Sequence, residues 1–223
     1  MKIKESIKKN KQLFLLYMKI NNGLLGNNRI SVKGNIFNAK NARIKNTRIT
    51  VKGKNNTIEI DDGSYLVNCN ITILGNNNRL VIGKKVISKG VLINIEDNNN
   101  LIIIQDNTTI EKNTELAAIE GTSIMIGKDC MLSSDIRICT GDSHSLVDLN
   151  GKRVNPSQNI VIGNHVWIGA RAMINKGIVI ADHCTIGSLS MLAGHKFEEP
   201  YSVIVGIPAN VIKCGIDWSR ERL

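Results

Sequence analysis

Between Ile162 and Leu192 an aliphatic residue recurs at every sixth position: Ile162, Ile168, Ile174, Ile180, Ile186 and Leu192. Gly follows it in three of the five hexads, and the fifth place holds a small or β-branched residue: Val166, Ala172, Ile178, Cys184, Ser190. A period of six matches neither the helix nor the amphipathic strand. It matches a solenoid in which each hexad is a short strand plus a turn and three hexads close a triangular coil. The first and fifth places then both point inward, the fifth close to a corner where space is short.

Upstream the period lengthens. Ile60, Ile82, Ile104 and Ile126 are each 22 apart, and Asn38 is assigned to the same grid one step earlier. We read 22 as three hexads plus four extra residues at one corner. The Asn runs after Gly53, Gly75 and Glu96 keep a fixed phase with this grid. That argues for tight turns rather than disorder, because Asn tolerates left-handed backbone angles. After Ile126 the spacing drops to six again, through Leu132 and Ile138, and the next grid position is His144. Coil starts near 38, 60, 82, 104, 126, 144, 162 and 180 predict about eight coils and a column roughly 40 Å long.

Three stretches leave the grid. Residues 145–159 lose the hexads and hold a turn around Asp148 to Arg153, so a loop is expected to be thrown out of the column here. Residues 197–223 hold an extended segment between Pro200 and Pro208, then a tail in which Trp218 to Arg222 suggests a short helix. Residues 1–22 place Ile3, Ile7, Phe14 and Met18 at helical spacing, with Lys2, Lys4, Lys8, Lys9 and Lys11 on the rest of the surface. This predicts a helix that caps the column or rests, as a basic amphipathic helix, on an anionic membrane. The expected organisation is therefore a helix over 1–22, a solenoid over 23–196 and a C-terminal segment over 197–223.

Charge and composition narrow the function. Lys and Arg number 29 against 19 Asp and Glu, a net charge of +10. Phosphates of a cofactor, an acidic glycan or an anionic membrane surface would each account for that. Nucleic acid is not expected, since no helix-turn-helix, zinc-finger spacing or aromatic platform is present. The five cysteines form no CxxC pair, and Cys130 and Cys184 fall on the small inward place, so they read as reduced core residues. No stretch reaches the ~20 apolar residues of a membrane span. With no cleavage site after Leu13 to Met18, the expected location is the cytoplasm, or the inner face of the membrane if the basic helix rests there.

The element Ile162-Gly-Asn-His-Val-Trp-Ile-Gly-Ala and the later Val205-Gly-Ile-Pro-Ala-Asn-Val-Ile-Lys resemble the hexapeptide-repeat acyltransferases, above all the bacterial O-acetyltransferases of sugars and surface polysaccharides. The resemblance is dense from about Ile126 to Lys213. It implies an all-β left-handed parallel β-helix, a homotrimer with active sites at subunit boundaries, and acetyl transfer from acetyl-CoA to a hydroxyl of a saccharide acceptor, with no metal cofactor.

Transfer from a thioester requires a base for the acceptor hydroxyl, donors for the tetrahedral oxyanion, a channel for pantetheine and cations for the CoA phosphates. Imidazole suits the base because it titrates near neutrality. His144, in Gly141-Asp-Ser-His-Ser, stands where the grid expects an aliphatic and roots the ejected loop; the resemblance implies that it is the catalytic base. Asp142, Asp148 or a backbone carbonyl could orient its ring. By the same resemblance Trp167 walls the pantetheine channel. Backbone N–H groups at Gly169 and Ala170 meet the thioester, Ser188 continues the channel one coil on, and Lys196 and Lys213 reach the CoA phosphates. Leu189 stands where relatives carry a small residue and would narrow the channel. His165 and His183 are 18 apart and so stack on adjacent coils at a turn, where they read as solvent-facing residues. A metal set of His144, His165 and His183 is the rival reading of the histidines. N-acetylation of an amino-sugar nucleotide and a non-catalytic glycan-binding scaffold are the rival functions.

Overall fold

The computed structural model describes residues 25–222 continuously, together with Leu13, Tyr17, Ile20 and Asn22. Leu13, Tyr17 and Ile20 have helical backbone; the rest of the helix expected over 1–22 lies outside the described residues. Among the described residues the strands form three sheets of eight, seven and nine strands. The first sheet runs from Arg29–Ser31 to Met191–Leu192, the second from Ile36–Asn38 to Val179–Ile180, and the third from Arg43–Lys45 to Thr185–Ile186 and beyond. Successive strands visit the three sheets in turn and pair in parallel with the strand one coil away, so the chain winds a three-sided column.

The two periods in the sequence are the two coil lengths. Leu101 pairs with Arg79 and with Ser123, 22 residues either way, whereas Trp167 pairs with Thr185, 18 on. Inward positions are filled by Ile, Leu and Val: Ile58, Leu80, Ile102 and Ile124 are stacked on one wall, and Ile49, Ile71, Ile93 and Leu116 on another, all essentially without solvent exposure. Burying each such side chain contributes about 1.5–3 kcal/mol. The fifth-place residues Val166, Ala172, Ile178, Cys184 and Ser190 are buried as well.

Asn keeps the longer coils in phase. Asn35, Asn56, Asn78 and Asn100 form a ladder at one corner. Each Oδ1 accepts from the backbone N–H one coil on, at Asn56, Asn78, Asn100 and Thr122, over 2.8–3.0 Å. The neighbouring Asn55, Asn77 and Asn99 take φ of 58°, 58° and 62°, the left-handed angles that Asn accepts more readily than other side chains.

The structure corrects four expectations. Phe37, not Asn38, is in line with the inward residues, since Phe37 pairs with Ile58 and Asn38 with Glu59. No coil starts at His144: Ile126 pairs directly with Ile162, Leu132 with Ile168 and Ile138 with Ile174, each 36 residues on. The chain leaves the column after Arg137–Cys139 and returns at Ile160–Ile162, so His144 belongs to the loop and not to the grid. Nor does the column stop at Phe197. Phe197 is buried and bridges to Ile180, and Val203–Gly206 extends the third sheet beside Thr185–Ile186 before Ala209–Lys213 returns antiparallel to it. Finally, Trp218 to Arg222 forms no helix. Trp218 Nε1 donates to the His165 carbonyl at 2.8 Å and Arg220 binds Asp129 and the Cys130 carbonyl, so these side chains spread the tail along the column.

Candidate active site

A three-sided column has three corners, and the chemistry-bearing residues divide among them. Where the first sheet turns into the second lie the ejected loop, residues 175–178 and residues 193–196. A hairpin forms the loop's far end: Val147 bridges Arg153, and Asp148 Oδ1 accepts from the N–H groups of Asn150 and Lys152. Its base is fastened by Asn155, which is buried. Asn155 Oδ1 accepts from Leu146 N at 2.7 Å, and its Nδ2 donates to Asp142 Oδ2 and to the His144 carbonyl, both at 2.8 Å. Lys176 pairs with the same Asp142 carboxylate. That ion pair, then the Asn155 bond, holds the Asp142 carboxyl below the usual range. A second anchor joins loop to column: Glu120 accepts from Arg153 Nη1 at 2.8 Å and from Ser157 Oγ at 2.7 Å, which lowers its carboxyl too.

Between these anchors the His144 backbone is fixed while its side chain is exposed, and its ring bonds to nothing among the described residues. Asp142 and Asp148 are both engaged elsewhere, so neither orients the imidazole. Beside the loop root opens a cleft of about 540 Å³ lined by Asp142, Gln158, Lys176, His195 and Lys196.

The corner opposite this one is a face: the third sheet. Trp167 lies on it, partly exposed, with its ring centroid 6.2 Å from that of Trp218. Where the third sheet turns into the first lie Gly169, Ala170, Ser188 and Leu189. Gly169 is required by packing, since a Cβ there would come within 2.5 Å of Ser188 N. Its N–H is spent on the Ile186 carbonyl at 2.8 Å. The N–H groups of Ala170 and Ser188, by contrast, find no acceptor among the described residues. At the second corner, where the second sheet turns into the third, the equivalent N–H groups of Lys128 and Asn164 are closed off by Asn164 Oδ1 and Asp182 Oδ1 of the next coil. Ala170 and Ser188 therefore offer two outward donors one coil apart. Leu189 stands exposed beside them, its N–H given to the Ala170 carbonyl. Lys213 is exposed on the strand added to the edge of the third sheet, opposite Val203.

The fold thus brings Trp167, Gly169, Ala170 and Ser188 together and leaves His144 and Lys196 at the far corner of the same chain. The set His144, His165 and His183 is not assembled either. His165 and His183 do stack on adjacent coils as expected, with centroids 5.0 Å apart, but at the second corner and among partners that hexad counting could not supply. Trp218 stacks on His165 at 4.2 Å and Tyr201 on His183 at 4.5 Å. Asp217 and Trp218 follow His165 by about fifty residues with no periodic relation to it, so only the folded chain shows the contact.

Residues 159–194 match the model described as bacterial transferase hexapeptide, six repeats. The polysialic acid O-acetyltransferase of Neisseria meningitidis is 36% identical over 157 residues, covering 69% of this chain and 72% of that protein. The polysialic acid O-acetyltransferase of Escherichia coli O1:K1 / APEC is 36% identical over 120 residues, 53% of this chain and 38% of that protein. The solved structure of the polysialic acid O-acetyltransferase OatWY superimposes with a TM-score of 0.77 at 35% identity, covering 88% of each chain. The column is thereby a left-handed parallel β-helix. With its hexads, its loop and its sheet-borne Trp, the chain belongs to the hexapeptide-repeat, left-handed β-helix acyltransferase family, in the polysaccharide O-acetyltransferase group.

Proposed function

We propose that the protein transfers an acetyl group from acetyl-CoA to a hydroxyl of an acidic capsular polysaccharide, polysialic acid being the class on which its named relatives act. The observation that carries this reading is the state of His144: a backbone carbonyl bonded by Asn155 and an exposed imidazole with no partner among the described residues. Nε2 or Nδ1 of His144 takes the proton of the acceptor hydroxyl, and the oxygen attacks the thioester carbonyl. The oxyanion of the tetrahedral intermediate is met by the free N–H of Ala170, and CoA leaves as its thiol. No covalent acetyl-enzyme is needed. Trp167 walls the pantetheine channel with Gly169 and Ser188, and Leu189 narrows it. Lys213 answers the CoA phosphates. Lys196 sits in the cleft beside His144 with Lys176 and His195, which suits it to the carboxylates of an acidic acceptor or to the phosphates of a neighbouring chain's CoA.

Because His144 and Trp167 stand at opposite parts of one column, the site is completed by a second copy, and the working form is a homotrimer. The loop supports this. Leu146, Val147, Leu149 and Val154 are all more than half exposed, an apolar group left uncovered by the described residues. On this reading the enzyme works in the cytoplasm, at or near the inner face of the membrane. No helix among the described residues is long and apolar enough to cross a membrane.

The test is direct. Purified protein is incubated with acetyl-CoA and polysialic acid, thiol release is followed, and the polymer is examined by mass spectrometry for added acetyl esters. Ester formation that depends on the polymer supports the reading. Thiol release that is unaffected by any acidic polymer, with no ester formed, removes it.

A further inference from the structure

The second corner holds a cluster that the acetyl-transfer reading does not use. His165 Nδ1 lies 2.7 Å from Asp129 Oδ2. His165 Nε2 lies 3.1 Å from the Trp218 carbonyl and 3.6 Å from Asp217 Oδ1, and His183 Nδ1 lies 3.0 Å from Asp217 Oδ2. Both ring nitrogens of His165 therefore face only acceptors. A neutral imidazole has one N–H and one lone pair, so with Nδ1–H given to Asp129 the Nε2 lone pair would point at oxygen atoms. Either a second proton on the ring or a cation belongs between Nε2 and those oxygens.

We propose that His165, His183 and Asp217 bind one divalent cation of the zinc type, which fastens the C-terminal tail to the column. The donor set is right for zinc, two imidazoles and a carboxylate. The ligand atoms lie within 4.8 Å of one another. Donors about 2.0 Å from a tetrahedral zinc stand about 3.3 Å apart; His165 Nε2 lies 3.6 Å from Asp217 Oδ1 and His183 Nδ1 lies 3.0 Å from Asp217 Oδ2, so the carboxylate reaches both imidazoles, one through each oxygen. The outer partner is also in place: Asp129 accepts from the far nitrogen of His165, the carboxylate–histidine arrangement that fixes tautomer and ring in metal sites. Arg220 Nε holds the other Asp129 oxygen at 2.9 Å. The Trp218 carbonyl or a water would fill the fourth position. Bound metal would lock Trp218 against His165 and so fix the indole that stands beside Trp167.

The experiment uses tag-free full-length protein stripped with a chelator and titrated with Co2+, whose visible bands report a tetrahedral site, and then with Zn2+ in competition. The expected result is one ion per chain and a raised Tm. In Asp217→Ala and in His183→Ala, Zn2+ affinity should fall at least tenfold; Asp129→Asn, which alters only the outer partner, should cost about 10–100-fold. Asp217 lies in the exposed tail, so its variant keeps the column intact, which circular dichroism checks. Failure to take up metal overturns the proposal. So does uptake that falls less than tenfold in Asp217→Ala, because the ion would then sit elsewhere, Cys214 being the exposed thiol.

Discussion

His144 is held by its backbone and free at its ring, and the two halves of that statement predict different things. Replacing His144 with Ala should lower turnover by about 10²- to 10⁴-fold, the usual contribution of a general base. Thermal unfolding should not move, because no contact is lost. Replacing Asn155 with Ala should do the opposite in kind. It strips partners from Leu146 N, Asp142 and the His144 carbonyl, three part-buried bonds whose loss should cost about 1 kcal/mol, and lowers activity only through a loosened loop. Differential scanning calorimetry beside a rate assay separates the two. Acid should loosen the same root. The folded Asp142 carboxyl is held below its ordinary value, so its contribution is complete above the unfolded pKa near 3.9 and is lost as pH falls through the lower folded value. Proteolysis at Lys152 and Arg153 should therefore rise below about pH 4, and in Asp142→Asn it should already be raised at neutral pH. At this scale the sequence marked His144 for a reason that the structure does not keep. His144 was marked by its place on an aliphatic grid, but it is off the grid, and its interest lies in an exposed ring on a pinned loop.

At the scale of the strand and turn, the hexads and the 22-residue spacing were legible because inward side chains repeat with every coil. Ile104 is fully buried on a central coil. Ile104→Asp should abolish cooperative folding, since an inward charge has no partner, whereas the adjacent Gln105→Asp should be tolerated. Equal effects in a denaturant titration would contradict the phase of the grid. The Asn ladder makes a finer contrast. Asn78→Ala breaks the Oδ1 bond to Asn100 N and the Nδ2 bond to the Asp97 carbonyl inside the column, and should cost about 1–3 kcal/mol. Its neighbour Asn77→Gly, at a φ of 58° that Gly accepts freely, should be nearly neutral. What the sequence hid at this scale is everything without a period. The hexads continue across the loop as if nothing were inserted, and a counter that runs on at six places a coil at 144. The tail was hidden for a related reason: Trp218 and Arg220 are ordered by bonds to His165 and Asp129, which no local pattern announces.

For the whole molecule the division of labour among corners is the decisive fact. The proposed base stands at one corner, and Trp167 with the backbone donors stands on and beside the opposite sheet, so on the proposed reading a lone column would carry two half-sites that do not face each other. Three columns side by side would join them, and light scattering should give a mass near 74 kDa, three times 24.6 kDa. The most direct test mixes two dead proteins. His144→Ala removes the proposed base and Ala170→Trp is meant to block the proposed channel. Each should be inactive alone, yet random reassembly in equal amounts should restore about a quarter of wild-type activity, because a shared site draws its two halves independently from two chains. If mass spectrometry shows mixed trimers and activity stays at the level of the separate variants, the site is not shared between subunits and the account is wrong.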